Sequence, residues 1–529
     1  MSDSTDTTTH LPEQRADAEV ERAVTSSPAP AARPAPARKR RPSLVDRRTV
    51  LSAAVAGGVG VGIARLLPWH RVVEVDPPQL TAQAVATRST LDWVSPLGDE
   101  ATRVAHLLRR TSFGYTAAEL ESAVADGYRR TVDRLVETPP AEPPALAGAD
   151  DAAQKKPQNL GQLQQWWIDW MMKTPTPFAE HMTLFWHGHF TSDFRKVGLQ
   201  DPYLYWQHRT WRRFFHSDLG TVLNEVTIDP AMLRYLDLGT SSASAPNENY
   251  SRELMELFTL GVGNYTEDDV KAAAKGLAGW RFPITQAMID SQVEAVIKRT
   301  GKPPKVTPKP DTAKTGIYVP ARAYRGAPFA YLGETKVWNT QTVLQKILDH
   351  EAVAPFITQK LLTDLVATDV DDSTVTRIAD RFRQSRYDMK TLMSDVLTSE
   401  EFTSGKAYRA LVKSPTEVMV SAAKALQAPQ LSRLIAGSGE GMGQLLFDPP
   451  TVGGWPDNAS WISSTSMLAR INFVTSALAQ MKTVPSAASA HAQFLDSTLS
   501  PQTLAYLNAT TDDRRRWAAV LSCAEFQLK

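Results

Sequence analysis

Cysteine is all but missing from this chain of 529 residues. Cys523 stands alone, so no intrachain disulfide can form. A zinc site built on thiolates is excluded as well, since it needs several of them. An excess of one charge is also missing. The 58 Lys and Arg against 57 Asp and Glu leave a net charge of +1, whereas nucleic-acid binding calls for a basic stripe. The sequence has no Gly-x-Ser-x-Gly elbow, no phosphate-cradling glycine loop and no dinucleotide fingerprint. Those absences weigh against the common hydrolase, kinase and dehydrogenase classes. Alternating apolar and polar residues are scarce, which leaves little material for a sheet.

What is present begins with Asp46-Arg47-Arg48-Thr49-Val50-Leu51, paired arginines directly before the uncharged run Val50–Ala64. Residues 43–68 therefore read as a twin-arginine signal, a route that exports proteins already folded. Gly57, Gly58, Gly60 and Gly62 would make the run a poor helix of a folded domain. It is also short of the about twenty residues that span a bilayer. Ala84-Val85-Ala86 is the first tidy small-x-small site, far downstream, so cleavage and an uncleaved anchor both stay open. The expected location is beyond the cytoplasmic membrane: periplasm, cell envelope or medium. A disulfide-free protein fits folding in a reducing compartment before export. Residues 1–42, polar and then rich in Pro and Ala, read as a disordered tail. The tail ends near Arg38-Lys39-Arg40-Arg41, which would sit against anionic lipid before export. Membrane contact is expected only through this N-terminal part, and residues 69–98 read as a linker.

From residue 99 to 529 the pattern predicts one all-α domain. Helices are expected at 160–173, 177–187, 201–216, 340–349, 353–366, 374–385, 389–398 and 415–427. Thr116 with Glu119 forms a capping box, and Asp229-Pro230 and Ser414-Pro415-Thr416-Glu417 are helix starts with proline at the first position. Residues 286–338 break the pattern. Their basic, proline-rich stretch Lys298–Pro310 predicts a long exposed loop. Met393–Phe402 echoes Trp517–Phe526, which predicts two similar helix ends.

Three stretches could carry chemistry. In Phe178–Phe190, His181 lies at the edge of the apolar face, and Glu180, His187 and His189 offer metal ligands or a general base, although histidines satisfied inside a core give the same pattern. Gly188 is expected to end or loosen that helix. In Pro246–Gly261, Asn247 is a good N-cap, Tyr250, Leu254, Leu257 and Phe258 form an apolar stripe, and Asn249, Glu253 and Glu256 fall on its flank. Those carboxylates would meet Arg209, Arg212 or Arg213, or else bind a cation, while Glu248 and Arg252 pair four residues apart. In Phe447–Trp461, Trp455 and Trp461 are either a sugar-stacking platform or plugs that fix the loop.

Several pieces recur in a known order: Arg109–Gly114, Phe185-Trp-His-Gly-His-Phe190, Asp229–Leu233, Asn247-Glu-Asn-Tyr-Ser-Arg-Glu-Leu-Met-Glu-Leu-Phe-Thr-Leu-Gly261, Tyr265–Val270, Gly279-Trp280 and Pro449–Pro456. Together they resemble the bacterial family catalogued as domain of unknown function 1800, over roughly residues 100–480. The family has alanine where Ser251 stands and commonly asparagine where Gly188 stands. The resemblance implies an exported protein but brings no reaction with it. It also implies a partner, a second exported protein of the family catalogued as domain of unknown function 1501, besides the twin-arginine machinery. The expected site gathers His187, His189, Glu248, Asn249, Arg252 and Glu253. Metal-assisted hydrolysis or oxidation in the envelope, using a divalent metal, suits that mixture. The competing expectation is a non-enzymatic assembly protein.

Overall fold

The computed structural model describes residues 97–147 and 159–529. The tail expected at 1–42, the export signal expected at 43–68 and nearly all of the linker expected at 69–98 lie outside the described residues. Within them the fold is all-α: 59% is helical and 4% strand, in 22 α-helices and two two-stranded ribbons. Among the described residues no helix is long and apolar enough to cross a membrane.

Helix starts follow the local chemistry. The Thr116 hydroxyl accepts the Glu119 N–H at 3.2 Å, and the Glu119 carboxylate accepts the Thr116 N–H at 2.6 Å. Asp229 caps Pro230–Tyr235 by accepting the Met232 N–H at 2.8 Å. Ser414 and Glu417 close a capping box on Pro415–Ala425. Each such cap is worth about 1 kcal/mol. The echoed segments do end alike. Helices Met389–Leu397 and Asp513–Ser522 are each followed by a buried phenylalanine, Phe402 and Phe526.

Three local expectations are corrected. Residues 286–338 are not one long loop: Gln286–Thr300 is a helix with Thr285 as its cap, and the basic proline-rich stretch starts only at its last turn. Farther on, Ile317–Tyr318 pairs with Trp280–Arg281, and Phe329–Tyr331 pairs with Glu334–Lys336. Tyr331 and Trp338 are buried and anchor the segment on the core. Second, the helix Pro177–His189 runs straight through Gly188. Third, Asn247 is not the cap residue. It accepts the Asn249 N–H at 2.9 Å, two residues ahead of a short α-helix, Asn249–Glu253, that widens into a π-helix, Leu254–Thr259. The N–H groups of Leu260 and Gly261 both reach back to the Met255 carbonyl, at 2.9 and 3.0 Å. Such a wide turn shifts the faces of the helix, which 3.6-residue periodicity cannot show.

The core is rich in large rings, with Trp167, Trp186, Trp211, Trp338 and Trp517 fully buried. One buried ion pair joins two helices in it. Arg212, on Tyr203–Arg213, grips Glu180, on Pro177–His189, through Nε to Oε2 at 2.9 Å and Nη2 to Oε1 at 2.7 Å. Trp167 Nε1 donates to the same carboxylate at 2.5 Å.

Candidate functional site

A cavity of about 470 Å³ opens where four segments meet. Helix Pro177–His189 contributes His181, Leu184, Phe185, Gly188 and His189. This is the i, i+3, i+4, i+7 spacing of a single helical face. Helix Val353–Leu365 presents Lys360, Thr363 and Asp364 by the same rule. The start of Pro415–Ala425 adds Ser414 and Glu417, and the loop from Gly453 to Trp461 forms the rim.

The floor is polar. His181 Nε2 lies 2.8 Å from Asp364 Oδ2. Ionised Asp364 can only accept, so Nε2 carries the hydrogen of this contact. Nδ1 is buried and makes no hydrogen bond; its nearest carboxylate oxygen, Glu417 Oε1, is 3.9 Å away. Glu417 uses its two oxygens differently. Oε2 accepts the Ser414 N–H at 2.7 Å, and Oε1 accepts from Lys529 Nζ at 2.5 Å. Lys529 Nζ stands 4.0 Å from Asp364 Oδ1. The segment Phe526–Lys529 seats this ammonium by pairing with residues 411–413. Lys413 N–H donates to the Gln527 carbonyl at 2.8 Å, and Lys529 N–H to the Leu411 carbonyl at 2.8 Å.

Burial alone would raise both carboxyls, but Lys529 first and His181 second outweigh it. Asp364 and Glu417 are both held below the usual carboxylate range and stay ionised. Arg110, fully buried behind them, is pulled down to about 9 by burial and by Arg109, against the attraction of Glu417 and Asp364. Asp364 remains 29% exposed at the side chain and is the carboxylate a ligand can touch.

The rim depends on two glycines. Gly454 lies at φ +94°, and a Cβ there would sit 2.3 Å from the Gly188 carbonyl oxygen. Only glycine permits that approach in that conformation. The approach seats Trp455 against the helix end, its ring 5.2 Å from that of His187. Trp461 is buried and Trp455 half-buried, so both are packed loop anchors, and both also line the cavity.

Of the six residues chosen from the sequence, His189 alone lines this cavity. Its Nε2 donates to the Phe258 carbonyl at 3.1 Å, which is where the Phe178–Phe190 and Pro246–Gly261 motifs meet. His187 Nε2 accepts the Phe447 N–H at 3.1 Å. Burial lowers both rings to about 3, so they are neutral near pH 7. Arg252 holds Glu267 at 2.6 and 2.8 Å and reaches Glu248 at 3.4 Å. Asn249 donates to Asp237 at 3.0 Å. Glu253 is raised by burial and by the charge of Glu256. The arginines expected beside it turn elsewhere: Arg209 to Glu142, Arg212 to Glu180 and Arg213 to Glu225. No group of three or more His, Cys, Asp and Glu among the described residues is arranged to hold a metal ion. In the sequence His181 stands out only as a histidine near two others, and Glu417 only as a cap. Asp364 and Lys529 carry no local pattern that would mark them.

The chain is thus an all-α protein with a histidine–carboxylate centre on the floor of an aromatic-rimmed cavity. The family model described as "Protein of unknown function (DUF1800)" matches residues 106–528, and the chain belongs to that family. No curated protein and no solved structure matches it.

Proposed function

We propose that the protein is an exported hydrolase of the cell envelope that works by acid–base catalysis in this cavity. The observation that carries the reading is the 2.8 Å His181–Asp364 contact, which orients the ring through Nε2 and leaves Nδ1 without a partner. A histidine oriented by a carboxylate is the usual way to hold a proton acceptor ready for an attacking water. Such contacts in ligand-free enzymes often tighten only when substrate binds. Asp364 touches the ligand and orients His181. Lys529 neutralises Glu417 and supplies positive charge where negative charge develops.

His181→Ala and Asp364→Asn are each expected to lower turnover at least about 100-fold. The assay would use chromogenic esters, phosphodiesters and glycosides with the purified protein, and circular dichroism would confirm the fold. Turnover indifferent to both changes would sink the acid–base reading.

A second reading, an envelope assembly protein, draws support from exposed Ile462, Leu468 and Ile471 beside the rim residue Trp461. Leu468 and Ile471 share one face of Ser464–Gln480. That reading leads if no substrate turns over and the protein instead co-purifies in fixed ratio with an exported protein such as one of the domain-1501 family.

Both readings place the protein outside the membrane. Changing Arg47 and Arg48 to lysine is expected to leave the chain in the cytoplasm, as fractionation and immunoblotting would show. Export at the normal rate would refute the twin-arginine route.

A further inference from the structure

The floor of the cavity accounts for chemistry, but not for the walls. Phe185, Trp455 and Trp461 place three aromatic rings around the opening. Two carboxamides face them with their oxygens already used. Gln444 Oε1 accepts the Thr416 N–H at 2.9 Å, and Asn458 Oδ1 accepts the Val412 N–H at 2.9 Å. Each bond fixes which end of the amide is nitrogen and where it is held. The NH2 groups of Gln444 and Asn458 have no hydrogen-bond partner among the described residues, and both residues line the cavity. Ionised Asp364 supplies an acceptor on the same surface.

This combination discriminates between ligand classes. A phosphate or carboxylate would meet Asp364 and Glu417 as well as Lys360 and Lys529, a lining with no excess positive charge to hold it. An apolar ligand would leave the two amides and Asp364 dehydrated and unpaired, a cost of several-fold to several-hundred-fold in affinity. A cation would meet Lys360 and Lys529 as well as the carboxylates. A neutral ring with one apolar face and many hydroxyls satisfies every wall. Its C–H face stacks on the half-buried Trp455, and its hydroxyls accept from the amides and donate to Asp364. The volume lies within the range of about 300–1,000 Å³ typical of small-ligand sites.

We propose that the cavity is a saccharide-binding site that takes a pyranose unit of a larger glycan. A glycan is then the substrate class for the hydrolase reading, and only the steps after binding rest on that reading. The test is titration of the purified full chain with β-linked oligosaccharides of glucose, N-acetylglucosamine, mannose and galactose. Tryptophan fluorescence and calorimetry would read the binding.

At least one of the sugars is expected to bind saturably at millimolar concentration or below. Trp455→Ala is expected to weaken that binding about tenfold, the loss of one stacking contact. Gln444→Leu, which keeps the side chain's size, serves if Trp455→Ala does not fold, and it too is expected to weaken binding. His181→Ala is expected to keep its affinity within about twofold while losing turnover. Binding by both wild type and His181→Ala, with no turnover by either, upholds the saccharide site and removes the hydrolase reading. Absence of binding by every sugar tested, or binding unmoved by both Trp455→Ala and Gln444→Leu, overturns the saccharide site whatever the enzyme does to other substrates.

Discussion

Glu180→Ala is expected to lower the free energy of unfolding by about 3–5 kcal/mol, the usual cost of stranding one member of a buried ion pair. Glu180 and Arg212 are 1% and 0% exposed at their side chains, and three hydrogen bonds from Arg212 and Trp167 converge on the one carboxylate. Without the carboxylate, the guanidinium and the indole N–H keep their burial and lose their acceptor. The cost comes from desolvation, so it should hardly respond to salt, unlike that of a surface pair. Guanidinium unfolding of the wild type, Glu180→Ala and the double variant Glu180→Ala with Arg212→Met would measure it. The double variant should recover part of the loss, because the stranded charge has gone. A single-variant loss below about 1 kcal/mol would mean that the pair behaves like an exposed one.

Asp229→Asn should act in the opposite direction and depend on pH. Burial raises the Asp229 carboxyl from its ordinary 3.8 to about 7, against hydrogen bonds from Met232 N–H, Gln207 and Ala231 that favour the charged form. The folded chain therefore holds a proton that the unfolded chain releases near pH 4. Between those values the native state binds more protons, so stability falls as pH rises from about 4 to 7 and levels off above. Asparagine keeps the oxygen that caps Met232 and that Gln207 Nε2 reaches at 2.8 Å, without the titration. The variant should be more stable than the wild type at pH 8, by about 4 kcal/mol at most, and nearly equal to it at pH 4. Denaturant melts at the two pH values would show it. Parallel stability curves for the two proteins would rule out the buried acid as the source of the slope.

Helix positions were legible because caps and periodicity are local. Thr116, Asp229 and Ser414 act as their types dictate, and the helix expected at 160–173 is Leu160–Lys173. The reactive-looking motifs were harder to read. His187 and His189 sit among aromatic residues whether a ligand or a backbone group occupies their nitrogens, and here the backbone does. Glu180, one of the residues offered as a ligand or base, is spent on Arg212. Glu417 shows why a correct local reading can still miss a site. One oxygen performs the cap that its spacing from Ser414 announces, and the other belongs to a lysine 112 residues away. Asp364 lies in a stretch that reads only as a helix, and nothing around Lys529 marks a site, because convergence in space leaves no mark on local spacing. The π-helix at Leu254–Thr259 is invisible for a related reason, since the search for a 3.6-residue period assumes the geometry that the chain abandons there.

The spread of the centre along the chain governs when it can exist. His181 and Asp364 are 183 residues apart, and Glu417 and Lys529 another 112. Contacts of such long range close late, after helices and local turns have formed, because the loop entropy must be met first. A chain arrested midway, or clipped near its C-terminal segment, would keep most of its helical signal in circular dichroism and have no assembled floor. Far-ultraviolet spectra would pass such a species as native, whereas the environment of the His181 ring would not. The histidine is therefore a reporter of complete folding, and its resonance should be the last to reach its native position in a refolding experiment.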